Sequence, residues 1–173
     1  MIRDNQKHKM ISILERLKNK LNDEELKFLN DLNKGDDFQT FSLFTDGACD
    51  FNNQHEPVNA GIGFIIYDSD GLVQLKFSAN VGKKTNNEAE YLAVIEGLLK
   101  CSELGIKNLN VFSDSELVIK QLNGLYKVKN ERLKILNLEV RKIVSSFESV
   151  SFKHVRRELN EEADALSKEG LSK

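Results

Sequence analysis

The 173-residue chain has only two cysteines, Cys49 and Cys101, far apart and outside any metal-binding spacing. That excludes a scaffold stapled by many disulfides and points to free thiols in a reducing compartment. No run approaches the roughly 18 apolar residues that a membrane helix needs. The first ten residues, MIRDNQKHKM, hold no apolar core of the kind that opens a signal peptide. These absences lead us to expect a cytoplasmic protein with no membrane partner. Net charge is also scarce: the formal value of −2 argues against a generally sticky nucleic-acid binder.

What is present is ordinary in bulk and uneven in placement. Hydrophobic residues at 40% and charged residues at 30% suit a globular chain, and the length suits one domain with a short appendage. Residues 1–38 carry eight basic and eight acidic side chains, which cancel. Residues 117–157 carry ten (Lys120, Lys127, Lys129, Arg132, Lys134, Arg141, Lys142, Lys153, Arg156 and Arg157) against three glutamates, a local excess of +7. Such a run is either a solvated helix face or a track for a polyanion backbone.

Periodicity divides the chain. Met10, Ile13, Leu14, Leu17 and Leu21, then Leu26, Leu29 and Leu32, repeat at helical spacing, and Gly35 breaks the pattern. We expect a helical appendage over residues 1–38 and a catalytic-size domain over 39–173. FQTFSLFTD (38–46) has the aromatic and β-branched texture of a strand. In 60–80, Asp70-Gly71 sits between two β-rich runs, a hairpin signal. Helical patterns at about 86–104, around SELVIKQLNG, around NERLKILNLEVRKIVSSF and over NEEADALSKEG alternate with strands at 108–114 and 149–155. The order βββαβααβα implies a mixed sheet with helices on its faces.

Four acidic residues stand where solvation alone does not account for them. Asp46 is expected to close the first strand, Asp114 to close the fourth, and Asp164 lies between Ala163 and Ala165 on the last helix. Ligands bind at the carboxyl ends of strands in open α/β sheets, so two parallel strands ending in Asp would set both at one rim. Taken singly, Asp-Gly after a strand is a turn, Asp before Ser is a helix cap, and a helical Asp faces water. Together they would repel one another unless cations sat between them. Hard oxygen ligands favour Mg²⁺ or Mn²⁺, and two such ions about 4 Å apart can activate water and stabilise the leaving oxygen in phosphodiester hydrolysis.

The fourth member comes from TNNEAEY. Glu88 and Glu90 point to nearly opposite faces of a helix. Thr85-x-x-Glu88 has the form of a capping box, which gives Glu88 a structural task. Glu90 heads an inward stripe with Val94, Gly97 and Cys101.

FTDGACD, TNNEAEY, SDSELVIKQLNG and NEEADALS, in that order over about residues 40–170, resemble type 1 ribonuclease H, and most of all its archaeal-type branch without the basic protrusion. The resemblance implies a ribonuclease H-like α/β fold: a five-stranded mixed sheet, its first three strands antiparallel, flanked by helices. It implies cleavage of the RNA strand of RNA–DNA hybrids, leaving 3′-hydroxyl and 5′-phosphate ends, with two Mg²⁺ or Mn²⁺ ions per site when substrate is bound. Asp46, Glu90, Asp114 and Asp164 match the catalytic, metal-binding carboxylates, while Glu88 falls on a variable position. Thr85, Asn86 and Asn87 match the helix start that meets the hybrid, where a 2′-hydroxyl distinguishes RNA from DNA. Asn52, Ser115 and Asn160 match further substrate contacts, and Arg156 and Arg157 match phosphate contacts in the archaeal-type Arg-Glu-x-Asn pattern. Phe51 replaces a glycine in a remodelled loop, Glu116 stands where glutamine is common, and the histidine that many members carry before the last helix is missing. His154, inside the last strand, is expected to be structural. The partner is an RNA–DNA hybrid, with double-stranded RNA as a second candidate, and a monomer is expected. The alternatives are a hybrid- or double-stranded-RNA-binding module weak in catalysis, or a related nuclease acting on another nucleic acid.

Overall fold

The computed structural model describes residues 39–173. The helical appendage expected over 1–38 lies outside them. In chain order the elements are β1 (Thr40–Phe51), β2 (Pro57–Tyr67), β3 (Val73–Gly82), α1 (Asn86–Glu103), β4 (Asn108–Ser113), α2 (Glu116–Leu122), α3 (Glu131–Val144), β5 (Ser149–His154), a 3-10 turn (Arg157–Leu159) and α4 (Glu161–Leu171). The sheet runs β3-β2-β1-β4-β5. β1, β2 and β3 pair antiparallel, whereas β4 runs parallel to both β1 and β5. This is the expected mixed five-stranded sheet.

The pleat sorts β2 residue by residue, because successive side chains point to opposite faces. Ile62, Phe64 and Ile66 enter the core with α1. Gly63 points the other way, where a Cβ would lie 2.3 Å from the Ser167 backbone nitrogen, so the missing side chain lets α4 lie directly on the sheet. Leu43, Phe64, Tyr91, Leu98, Leu109 and Val111 are fully buried on the α1 face. Each such side chain contributes about 1.5–3 kcal/mol. α1 is buried along most of its length. A buried polar chain ties it to its neighbours. Tyr91 Oη donates to Gln121 Oε1 of α2 at 2.9 Å, Asn137 Nδ2 of α3 donates to Tyr91 Oη at 3.1 Å, and Arg141 Nε donates to Asn137 Oδ1 at 3.0 Å.

One boundary differs from expectation. β1 does not stop at Asp46 but runs on to Phe51, because residues up to there keep pairing with β2 before the register shifts between Asp50 and Phe51. β4 is the strand that stops, at Ser113. Asp46 therefore lies inside the antiparallel pair yet beyond the last parallel one. The β2–β3 turn forms where expected, with Asp68 Oδ1 accepting from the amides of Asp70 and Leu72, each at 2.9 Å. Among the described residues, no helix is long and apolar enough to cross a membrane.

Candidate active site

The parallel β1–β4 register places the first two aspartates side by side. Phe44 pairs with Phe112, so two residues further along each strand Asp46 stands beside Asp114. Glu90 arrives from α1, whose first turn presses on β1. A Cβ on Gly47 would lie 2.3 Å from the Glu90 nitrogen and 2.5 Å from the Ala89 carbonyl carbon. Only glycine permits that approach. As a result Asp46, Glu90 and Asp114 each offer a carboxylate oxygen within 4.8 Å of the others.

These groups are poorly hydrated: Asp46 and Glu90 are each only 6% exposed. Burial, reinforced by the charges of Asp114 and Asp164 against a hydrogen bond from Ser167, pushes the Asp46 carboxyl up to about 7. Burial likewise raises Glu90 well above the usual carboxylate range, with Asp46 and Asp114 adding repulsion. The Gly47 amide opposes this by donating to the Glu90 carboxylate, but Glu90 Oε2 has no hydrogen-bond partner. An unpartnered buried carboxylate oxygen facing two further carboxylates is a donor set short of a cation. Three hard oxygen donors and no thiolate suit Mg²⁺ or Mn²⁺, so the residues fit the expected metal.

Asp164 does not join this group. Arg157 Nη2 donates to its Oδ1 at 2.7 Å and Lys168 Nζ to its Oδ2 at 2.5 Å. Burial works to raise the Asp164 carboxyl, yet these two cations outweigh it and hold it below the usual range. Of the four expected carboxylates, three converge and the fourth is engaged elsewhere.

The helix start follows expectation closely. Thr85 is the N-cap of α1. Its amide and hydroxyl donate to Glu88 Oε2 at 2.9 and 2.7 Å, and its hydroxyl oxygen accepts from the Glu88 amide at 3.3 Å. Burial of Glu88 is outweighed by those bonds and by Arg132 and Lys84, so its carboxyl is lowered. Asn86 and Asn87 are exposed at this helix end. Ser115 caps α2 without a side-chain hydrogen bond.

Two expected contacts are otherwise occupied. Asn52 Oδ1 accepts from the amides of Gln54 and Glu56, each at 2.9 Å, and so shapes its own loop. Asn160 is 2% exposed. Its Nδ2 donates to the Thr45 carbonyl at 3.0 Å and to Asp114 Oδ1 at 2.8 Å, which orients a carboxylate from behind. Arg156 is exposed, whereas Arg157 is the partner of Asp164. His154 stands at the end of β5, with Nε2 3.2 Å from the Asp114 carbonyl oxygen.

Sequence reasoning missed Ser167, which is fully buried and whose hydroxyl donates to Asp46 Oδ2. A signal existed: Ala163, Ser167 and Gly170 form the small, buried side of α4. The ion pairs of Asp164 with Arg157 and Lys168 were also missed, although Asp164 and Lys168 have the i, i+4 spacing that brings helix side chains together.

A mixed five-stranded sheet that gathers two buried carboxylates and a half-buried one where β1 and β4 part is a ribonuclease H-like fold. Comparison with known proteins agrees. The family model described as "Reverse transcriptase-like" matches residues 44–170. Ribonuclease HI of Halobacterium salinarum is 34% identical over 128 residues, 74% of this chain and 62% of that protein. The crystal structure of RNase H1 from H. salinarum NRC-1 superposes with a TM-score of 0.73 at 32% identity, covering 77% of this chain and 98% of that one. LC11-RNase H1, solved in complex with an RNA/DNA hybrid, gives a TM-score of 0.70 at 33% identity over 76% and 96% of the two chains. The chain belongs to the type 1 ribonuclease H family. It spans about 62% of the length of the curated Halobacterium relative.

Proposed function

We propose that the Asp46–Glu90–Asp114 site hydrolyses the RNA strand of RNA–DNA hybrids in a divalent-metal reaction that leaves 3′-hydroxyl and 5′-phosphate ends. The observation that carries this reading is the convergence of three carboxylates, one with a buried unpartnered oxygen, in a chain of this family. Asp46, Glu90 and Asp114 would hold the metal, and Asp164 would complete the set once substrate is bound. Bound there, Mg²⁺ or Mn²⁺ supplies Lewis acidity: it acidifies water and neutralises charge on the leaving oxygen.

The remaining work falls to the chain. Ser167 and the Gly47 amide aim the Asp46 and Glu90 carboxylates, and Asn160 aims Asp114. Fixing each carboxylate by a hydrogen bond avoids reorganisation during reaction. Thr85 fixes the start of α1 through its capping box, and the exposed Asn86 and Asn87 side-chain amides there can read a ribose 2′-hydroxyl. Asn52 and Ser115 border the substrate path from neighbouring loops, and Arg156 meets backbone phosphate.

The test is a labelled RNA–DNA hybrid incubated with protein and Mg²⁺ or Mn²⁺. Wild type should cut the RNA strand, and replacing the ribonucleotides with deoxyribonucleotides should abolish cutting. Cleavage that persists in Asp114→Asn protein overturns the assignment.

A further inference from the structure

We propose that Lys168 and Arg157 latch Asp164 away from the carboxylate cluster in the free protein, and that a polyanionic substrate opens the latch by drawing these two cations onto its phosphates. The inference rests on the metal-site reading above and assigns Lys168 as a positioning residue. It also makes assembly of the full cation site depend on substrate.

The geometry divides Asp164 between two holders. Arg157, from the 3-10 turn, takes Oδ1, and Lys168, one turn further along α4, takes Oδ2. Both oxygens are thereby engaged, and neither belongs to the group formed by Asp46, Glu90 and Asp114. The carboxylate itself is only 18% exposed, whereas the Arg157 and Lys168 side chains are 68% and 56% exposed. The latched group is thus sheltered, and the latching groups reach solvent where phosphate can meet them. Guanidinium binds phosphate in a two-pronged fork, and the lysine stem is long and flexible enough to follow a phosphate away from its partner.

The strength of the contacts suits a reversible device. An exposed ion pair shifts an equilibrium by a factor of about two to five, and two such pairs by roughly tenfold. That is enough to keep Asp164 closed in the free protein, and little enough for several phosphate contacts to reverse. Asp164 also sits in the first turn of α4, where a carboxylate is stable without a metal. The latch therefore leaves no unpaired charge while it waits.

The experiment measures Mn²⁺ binding to the full chain by loss of the free-ion electron paramagnetic resonance signal, without nucleic acid. Wild type is compared with Lys168→Met, Lys168→Gln, Lys168→Arg, Asp164→Asn and the Lys168→Met/Asp164→Asn double variant. Lys168→Met and Lys168→Gln should each bind Mn²⁺ about threefold more tightly than wild type, while Lys168→Arg behaves as wild type. Asp164→Asn should change wild-type affinity by less than about 1.5-fold, yet abolish the gain in the Lys168→Met background. Adding a 2′-O-methyl RNA–DNA hybrid should bring wild type and Lys168→Met to the same affinity. No gain in either neutral variant, or a gain that survives Asp164→Asn, overturns the latch. Wild-type binding that Asp46→Asn removes, with the neutral Lys168 variants unchanged, sinks the latch alone. No Mn²⁺ binding by wild type sinks the site reading with it.

Discussion

Without metal, the cluster that makes the site should also weaken the fold, and Asp46→Asn isolates that effect. Burial and neighbouring charge carry the Asp46 carboxyl from its ordinary 3.8 to about 7. At about 1.4 kcal/mol per pH unit, forcing it to ionise in the folded protein costs about 4 kcal/mol. The sign follows from proton linkage. Between pH 3.8 and 7 the folded state holds a proton that the unfolded state has lost, so stability falls as pH rises through that window. Asparagine carries no such charge. It also exchanges the Ser167-to-carboxylate bond for a neutral one, which removes about 1 kcal/mol. Asp46→Asn should therefore be about 2–3 kcal/mol more stable than wild type at pH 8 in EDTA, and equal or slightly less stable near pH 4. Urea unfolding followed by circular dichroism at both pH values measures this. A difference that does not change with pH, or a variant less stable at pH 8, refutes the reasoning.

Other consequences follow from the same contacts. Glu90→Gln should lower hybrid cleavage by more than the roughly 10–100-fold that loss of an outer-sphere partner costs, with the far-ultraviolet spectrum unchanged. Glu88→Gln, which weakens only the capping box, should cost at most about 1 kcal/mol and leave cleavage near wild type, as denaturation and kinetics will report. Ser167→Ala should weaken Mn²⁺ binding by about tenfold in a calorimetric titration, because Asp46 loses the hydroxyl that aims it. Gly47→Ala should destabilise by about 2–3 kcal/mol or more, since its methyl would press on the α1 backbone, which cannot rotate away as a side chain can. Saturating Mg²⁺ should raise the melting temperature of wild type and not that of Asp46→Asn. At a hundredfold excess over Kd the wild-type gain is about 2.7 kcal/mol.

Among the described residues the sequence made the element order legible, and with it the convergence of Asp46, Glu90 and Asp114, for local reasons. Strand texture, the Asp-Gly turn and the helical stripe of α1 are short-range patterns, and each element formed near its expected place. The distinction between Glu88 and Glu90 was legible because a capping box and an inward stripe occupy different faces of one helix turn. What pairing decides was not. The end of β1 depended on how far β2 accompanies it, so Asp46 was placed at a strand end although the strand continues. Ser167 became a partner of Asp46 only because glycines let α4 settle on β2, a contact across 121 residues of chain. Asp164 shows the same limit from the other side. Its motif placed it with the other carboxylates, whereas the nearby charges of Arg157 and Lys168 decide which way its side chain turns. Asn160 was expected at the substrate, and its neighbours turn it inward to Asp114.

The most direct measurement is cleavage of a single-site labelled RNA–DNA hybrid by wild type and Asp46→Asn at saturating Mg²⁺, with an all-DNA duplex of the same sequence as control. Wild type should leave a cut RNA strand ending in 3′-hydroxyl, Asp46→Asn should give no product, and the DNA duplex should stay intact. Equal cleavage by the two proteins, or cutting of the DNA duplex at a comparable rate, contradicts this reading.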